Sequence, residues 1–192
     1  MSAPPLAILS NMTSCAAIAA MVSAKGLSNQ ITAVTSREAL DRLFAEHSAD
    51  APFSGRLIGF VTDMIVPARY LAATRFTPVN FHPGPPEYPG LRAIEFAFRD
   101  RAVSYGVTAH AMTLPVDSGP IIGVNRFASS GNGSEDALRY ETWRAAYALL
   151  LHLLPTLAAE APLKRIDAEW SGKMCSDAAW RALQAEDVHT ES

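Results

Sequence analysis

The sequence of 192 residues contains few cysteines, no excess of basic residues and no long apolar run. Its two cysteines, Cys15 and Cys175, stand 160 positions apart and outside any Cys-x-x-Cys or Cys/His cluster. This usage fits a reducing cytoplasm and argues against both a disulfide scaffold and a zinc site. Sixteen lysines and arginines stand against 19 aspartates and glutamates, for a net charge of −3. Neither nucleic acid nor an anionic membrane surface is therefore expected as a partner.

Nothing in the sequence indicates export or insertion into a membrane. The first charged residue is Lys25, so the N-terminus lacks the positive region of a signal peptide. The uncharged stretch 145–159 contains a histidine and a proline and falls short of the roughly 20 apolar residues that a membrane span requires. We therefore expect a soluble cytoplasmic protein.

The composition, with 49% hydrophobic and 18% charged residues, excludes general disorder. The length predicts one domain over residues 1–192, with a core of about 6–160 and a C-terminal helical tail over 161–192. Such a chain buries roughly 70% of its unfolded surface, which is enough for a core without disulfides or metals.

Short apolar runs alternate with helical patterns along most of the chain. Strands are predicted over 6–9, 31–34, 57–61, 79–81, 107–112 and 121–127, and helices over 15–25, 36–47, 67–73, 91–101 and 134–159, the last broken or kinked near Pro155. The alternation predicts an α/β fold whose mostly parallel twisted sheet of about six or seven strands carries helices on both faces. Residues 186–192 are expected to fray, while Trp170 and Trp180 either dock on the core or form a dimer contact.

Asn80 and His82 stand at the end of a predicted strand, before a run over 82–90 with four prolines and two glycines. Residues i and i+2 of a strand share a face, so both side chains should project together. An amide donor beside an imidazole at a carboxyl strand end suits the binding of an oxyanion. An ordinary His–Pro turn capped by Asn80 is the alternative.

A second group of polar residues follows later in the chain. Thr108 and His110 share a strand face, and Asp117 lies in a loop from which its carboxylate could reach His82 and raise the proton affinity of the imidazole. The alternative makes 117–119 a hairpin turn in which the aspartate caps the backbone.

Together these segments carry a resemblance. The runs Asn80-Phe81-His82-Pro83, Tyr88 with Gly90, Gly106-Val107-Thr108-Ala109-His110 and Asp117-Ser118-Gly119-Pro120-Ile121-Ile122 resemble the folate-dependent formyltransferases. That family includes glycinamide ribonucleotide formyltransferase and the catalytic domain of methionyl-tRNA formyltransferase. The resemblance covers roughly residues 6–160 and implies a Rossmann-like formyltransferase fold.

By this resemblance Asn80, His82 and Asp117 correspond to the catalytic triad of the family, which needs no metal. The triad transfers a formyl group from 10-formyltetrahydrofolate to an amine through a tetrahedral oxyanion. The implied contacts to the folate are Met64, Ile65, Val66, Val116 and Asp117. Glu87 and Arg92 are candidates for acceptor contact, and His110 for support of the Asp117 loop. The alternatives are that Glu87 is a solvated loop residue, that Arg92 is a solvated helix residue, and that His110 is a buried histidine whose hydrogen bonds are satisfied.

The sequence departs from the family pattern beside the expected acceptor site. Residues 84–87 replace a Ser-Leu-Leu-Pro segment, as in a branch of the family associated with hydrogenase maturation, and the turn over 10–14 lacks the glycines that cradle a phosphate. We therefore expect a small-molecule amine as acceptor, and neither glycinamide ribonucleotide nor tRNA. Hydrolysis of 10-formyltetrahydrofolate and non-catalytic folate binding are the alternatives.

Overall fold

The computed structural model describes residues 3–129, 131 and 133–190. Within them a single six-stranded sheet has the order β2-β1-β3-β4-β5-β6. The strands are β1 Leu6–Leu9, β2 Ile31–Val34, β3 Arg56–Phe60, β4 Val79–His82, β5 Ser104–Ala111 and β6 Ile121–Ala128. The helices are α1 Met12–Ala24, α2 Arg37–Phe44, α3 Ala68–Ala72, α4 Ala93–Arg99, α5 Glu135–Leu157 and α6 Asp177–Thr190.

Both faces of the sheet are covered, as the sequence predicts. On one face Ile8 and Phe81 pack with Ile18 of α1 and Leu150 of α5. On the other face the cluster around Leu9 and Leu57 includes Leu40 and Phe44 of α2 and Tyr70 of α3. The strands β1 and β3 are buried throughout, as is typical of parallel strands between two helical layers.

The last two strands reverse the direction of the sheet. The strands β1 to β4 pair in parallel, whereas β5 is antiparallel to β4 and β6 is antiparallel to β5. Ala111 pairs with Val79, so the connection over 112–120 leaves the sheet beside the amino end of β4. Its Asp117 nevertheless contacts His82, so this connection folds back over the face of the sheet that carries the predicted site.

Two helix boundaries differ from the sequence prediction for local reasons. The helix α1 begins at Met12, three residues before the predicted start, because the Asn11 carboxamide caps it by accepting a hydrogen bond from the Ser14 N–H. Pro155 lies inside α5, which continues to Leu157 and is not broken there. A proline this near the C-terminus removes one hydrogen bond of the last turns.

The helix α6 extends to Thr190, while residues 191 and 192 lie outside the described residues, and the fraying expected over 186–192 stays a prediction. The ring of Trp180 packs on Phe96 of α4 with centroids 5.4 Å apart, so this tryptophan docks on the core. None of the helices in the described part of the chain is long and apolar enough to cross a membrane.

Candidate active site

Neighbouring strands bring the predicted polar side chains onto one face of the sheet. Asn80 lies directly opposite His110 in the β4–β5 pair, and His82 lies opposite Thr108. Residues that face each other in an antiparallel pair project to the same side. The Asn80 Nδ2 atom accordingly lies 3.3 Å from His110 Nε2. A carboxamide and two imidazoles therefore share this face.

Asp117 joins the two histidines. Its Oδ2 lies 3.3 Å from His82 Nδ1, and its Oδ1 lies 3.2 Å from His110 Nε2. The Gly90 N–H also donates to Oδ2, at 2.9 Å. The backbone of Asp117 has a φ of +49°, a conformation that aspartate tolerates better than most residues. The structure thus brings together Asn80, His82, Asp117 and His110, which the sequence singled out.

The burial of Asp117 alone would raise the pKa of its carboxyl group. The hydrogen bond with His110, the charges of His82 and His110 and the Gly90 N–H outweigh burial and lower this pKa. The side chain is 9% exposed. A buried carboxylate is therefore held in its ionised form between two imidazoles.

His82 is 3% exposed, and both of its ring nitrogens face oxygen atoms. Its Nε2 lies 2.8 Å from the Tyr88 carbonyl, and its Nδ1 faces Asp117. Burial lowers the pKa of His82, and neither the Asp117 charge nor the Tyr88 carbonyl fully offsets this effect. Asp117 does raise the proton affinity of His82, as expected from the sequence, but burial of the imidazole lowers it by more. A neutral imidazole has one N–H for these two acceptors.

The loop after His82 is fixed by hydrogen bonds to β5. The Thr108 hydroxyl donates to the Gly84 carbonyl, and the Tyr105 hydroxyl donates to the Pro83 carbonyl, both at 2.8 Å. A Cβ at position 84 would lie 2.6 Å from His82 Nε2. Glycine at 84, where the sequence departs from the family pattern, thus makes room for the imidazole ring.

These side chains border a cavity of about 600 Å³. Residues of the predicted folate contact lie in its wall, namely Met64, Ile65, Val66, Val116 and Asp117. Ser10 and Asn11, which follow β1, also line it, as do Arg139 and Trp143 of α5. The cavity thus extends along the carboxyl ends of the parallel strands, where sheets of this kind bind ligands. In the described part of the chain, no group of three or more His, Cys, Asp or Glu side chains is arranged to hold a metal ion.

The two predicted acceptor contacts lie elsewhere. Glu87 pairs with Arg126 of β6, and Arg92 pairs with Glu95 and with Asp177 of α6. Neither side chain lines the cavity. In the structure Glu87 is therefore a solvated loop residue, and Arg92 is a solvated residue at the start of α4.

Sequence reasoning missed three residues of the site. Arg139 and Trp143 lie one helical turn apart on α5 and both line the cavity, but a helical pattern alone does not tell which face meets a ligand. Trp170 packs edge-on against both histidine rings, 53 positions after Asp117. No local sequence motif predicts the contact of Trp170 with the two histidines.

A model of the formyl transferase family matches residues 15–153, and the chain belongs to that family. No curated protein matches the sequence significantly. Among solved structures, a sugar N-formyltransferase from a Shewanella species superposes with a TM-score of 0.72 at 15% identity, over 94% of this chain and 79% of the other. The shared architecture confirms the Rossmann-like formyltransferase fold.

Two further similar structures were determined with ligands. An N-formyltransferase from Helicobacter canadensis, in complex with folinic acid and dTDP-3-aminofucose, has a TM-score of 0.68 and 15% identity over 91% of this chain and 71% of that one. HypX from Aquifex aeolicus, in complex with tetrahydrofolic acid, has a TM-score of 0.65 and 15% identity. The match covers 92% of this chain but 30% of HypX.

Proposed function

We propose that this protein transfers a formyl group from 10-formyltetrahydrofolate to a primary amine of a small molecule. The observation that carries the proposal is the Asn80 carboxamide beside a carboxylate that bridges two buried histidines, at the wall of a cavity of about 600 Å³. The family to which the chain belongs supports the reaction class.

Asn80 serves as the oxyanion donor. When the amine attacks the formyl carbon, a new C–N bond forms and the carbonyl electron pair moves onto oxygen. The Asn80 Nδ2 carries two N–H groups, and its contact with His110 Nε2 uses at most one of them, because that nitrogen cannot accept a hydrogen bond while it donates to Asp117. The second is available to the developing oxyanion from a half-buried position at the cavity wall.

Asp117 and His82 take up the proton that the amine loses. A neutral His82 has one N–H for two acceptors, the Tyr88 carbonyl at 2.8 Å and Asp117 Oδ2 at 3.3 Å, so one of these two contacts lacks a proton. A proton that reaches Asp117 from the cavity fills this gap as an N–H···O hydrogen bond. It then passes to N10 of the folate as the C–N10 bond breaks, so that charge and atoms balance.

The folate is proposed to lie with its flat pteridine ring along Met64, Ile65 and Val66 and beside Val116. These residues present apolar surface and backbone polar groups, the usual composition of a cofactor site. The folinic acid and tetrahydrofolic acid complexes of similar proteins support the choice of donor, and the aminofucose complex supports a small amine acceptor. The free thiols of Cys15 and Cys175 favour a reducing cytoplasm, and the proposed folate donor would make the reaction part of one-carbon metabolism.

The test follows the absorbance change as 10-formyltetrahydrofolate becomes tetrahydrofolate, with and without a panel of amino sugars and amino acids. We expect conversion that requires one amine, and a rate roughly 10²–10³-fold lower in Asn80→Ala. His82→Ala should also lose most of the activity, whereas His152→Ala, an exposed histidine of α5, serves as the matched control and should retain it.

Three other outcomes of this assay would each change the proposed function. Conversion without any amine, abolished by His82→Ala, would identify a hydrolase in place of a transferase. Saturable folate binding without conversion by any member of the panel would favour a non-catalytic folate-binding protein. Absence of both binding and conversion would overturn the choice of cofactor.

A further inference from the structure

The segment over residues 166–175, called the tail segment below, lies outside the range that the family model matches and runs across the candidate active site. At one end the Ile166 N–H donates to the Ile121 carbonyl of β6. At the other end the Cys175 N–H donates to the Pro89 carbonyl, and the Arg92 N–H donates to the Cys175 carbonyl. The tail segment is thus held at both ends by backbone hydrogen bonds.

Between these ends the tail segment holds the proline-rich loop over 82–90. The Ser171 N–H donates to the Pro86 carbonyl and its hydroxyl donates to the Glu87 carbonyl, each at 3.0 Å. This is the loop whose Tyr88 carbonyl contacts His82 Nε2 and whose Gly90 N–H donates to Asp117. Two partners of the His–Asp network therefore depend on a loop that the tail segment fixes.

Trp170 occupies the centre of the tail segment. Its Nε1–H donates to the Gly119 carbonyl at 2.9 Å, two residues after Asp117. Its ring centroid lies 5.0 Å from that of His110, with planes at 89°, and 5.7 Å from that of His82, with planes at 69°. One indole thus holds the Asp117 loop and packs edge-on against both imidazoles.

We propose that Trp170 is a positioning residue that fixes the ring planes of His82 and His110 relative to Asp117. The inference rests on the proposed function for its kinetic consequence. The contacts of the two imidazoles with Asp117 are 3.2–3.3 Å long, so they leave room for the rings to tilt. The indole removes that room by filling the space beside both rings.

The effect of Trp170 is indirect, because this residue does not line the cavity and reaches the reacting atoms only through the histidines. A misplacement of about 1 Å in such a network costs on the order of 10²-fold in rate. Loss of the indole should therefore lower kcat and leave the KM for the folate almost unchanged.

The kinetic test compares Trp170→Leu with Trp170→Phe and Trp180→Leu, after thermal denaturation has shown that each variant folds. Trp180→Leu is the matched control, because this tryptophan of α6 packs on Phe96 and contacts neither histidine ring. We expect Trp170→Leu to lower kcat roughly 10- to 100-fold. Trp170→Phe, which keeps an aromatic ring, should have a kcat close to that of the wild type. Trp180→Leu should keep the wild-type kcat. Equal losses in the two leucine variants would overturn the proposal.

A second readout needs no substrate. The ring nitrogens of the five histidines are observed by two-bond ¹H–¹⁵N correlation NMR of the unliganded protein, with His82 and His110 assigned from His→Gln variants. Trp170→Leu should shift both sets of ring signals, and Trp180→Leu should shift neither. Unchanged signals in a folded Trp170→Leu protein would refute the positioning role. Shifted signals in a protein that converts no formyl folate would leave that role intact and refute the proposed function alone.

Discussion

At the residue scale, Asp117 is the point where three separate parts of the chain meet. Its two carboxylate oxygens serve His82 from β4, His110 from β5 and the Gly90 N–H from the proline-rich loop. The hydrogen bonds from His110 and from the Gly90 N–H, together with the positive charge of either imidazole, favour the ionised carboxylate, which is why the pKa of Asp117 is low despite its burial. A neutral side chain of the same shape cannot replace it.

Asp117→Asn is expected to fold and to lose roughly 10²–10³-fold in kcat/KM, the loss typical of a removed charge-stabilising group. The amide keeps the volume but can neither balance an imidazolium nor carry the transferred proton. Steady-state kinetics of formyl transfer give the ratio. Asp50→Asn, in an exposed loop, is the control and should match the wild type. An Asp117→Asn protein with wild-type turnover would remove the aspartate from the mechanism.

The low pKa of His82 makes stability depend on pH. Burial lowers the pKa of His82 in the folded protein below its value of about 6.5 in the unfolded chain. Between these two pH values the unfolded state therefore binds more protons than the folded state. The contribution is fully present above about pH 6.5 and is lost as the pH falls through the folded pKa. The low pKa of Asp117 acts in a separate window, below about pH 3.9.

Urea denaturation between pH 5 and pH 8 measures this effect. The free energy of unfolding of the wild type should decrease from about pH 6.5 downwards. The decrease should be shallower in His82→Gln, while His152→Gln on the exposed face of α5 should retain the wild-type slope. Identical slopes in all three proteins would mean that His82 titrates as it does in the unfolded chain.

At the element scale, Arg56 connects the sheet to the end of the longest helix. Its side chain is 1% exposed and donates to the carbonyls of Leu157 and Thr77, at 2.9 Å and 3.0 Å. It also donates to the carbonyls of Ala159 and Ala161. Three of these carbonyls, those of Leu157, Ala159 and Ala161, lie at or just beyond the C-terminus of α5, where the helix dipole also favours a cation.

Arg56→Met is expected to lower the free energy of unfolding by about 3 kcal/mol or more, because each buried carbonyl left without a donor costs about 1–3 kcal/mol. Chemical denaturation measures the change. Arg144→Met removes an exposed arginine of α5 that pairs with Glu141, and it should cost less than about 0.5 kcal/mol. A similar small loss at Arg56 would show that water replaces its hydrogen bonds.

Local patterns predicted the elements better than their ends. The strands β1 and β2 follow directly from apolar runs, and their predicted bounds match the structure, although only β1 is buried throughout and β2 is an edge strand with Thr32 and Ala33 exposed. The start of β5 at Ser104 was missed, because it depends on pairing with Ala128 of β6, a partner that no local pattern identifies. The C-terminal helical tail predicted over 161–192 is helical only in α6, Asp177–Thr190, because residues 161–176 are not helical in the structure.

The site was predictable only where its residues are close in sequence or carried by a motif. The Asn80–His82 pair follows from the alternation of a strand, and Asp117 came with the motif after β5. Glu87 and Arg92 do not line the cavity, and these charged side chains pair instead with Arg126 and Asp177, which the fold brings near them. The contacts of Trp170 depend on the path of the whole tail.

At the scale of the whole molecule, both thiols are shielded. Cys15 and Cys175 are both buried. Burial raises the pKa of the Cys15 thiol, and it raises the pKa of the Cys175 thiol to about 11. A thiol that is both buried and protonated is a poor nucleophile. The two cysteines should therefore behave as core residues, although Cys175 lies at the end of the tail segment beside the site.

A chromogenic disulfide reagent at pH 8 should accordingly react with neither thiol of the native protein within minutes. The same reagent should count two thiols per chain after unfolding in guanidinium, which is the internal control. Rapid reaction of one thiol in the native state, removed by Cys175→Ser, would mean that the end of the tail segment opens on that timescale.

The position of Trp170 along the chain also orders events during translation. The ribosome has delivered Asn80, His82 and Asp117 well before it reaches Trp170, 53 residues later. At about 5–20 residues per second this gap lasts roughly 3–10 s. Throughout that interval the nascent polypeptide holds Asn80, His82 and Asp117 without the indole that packs against the two imidazoles. The packing around the two histidine rings therefore becomes complete only after residue 170 has been made.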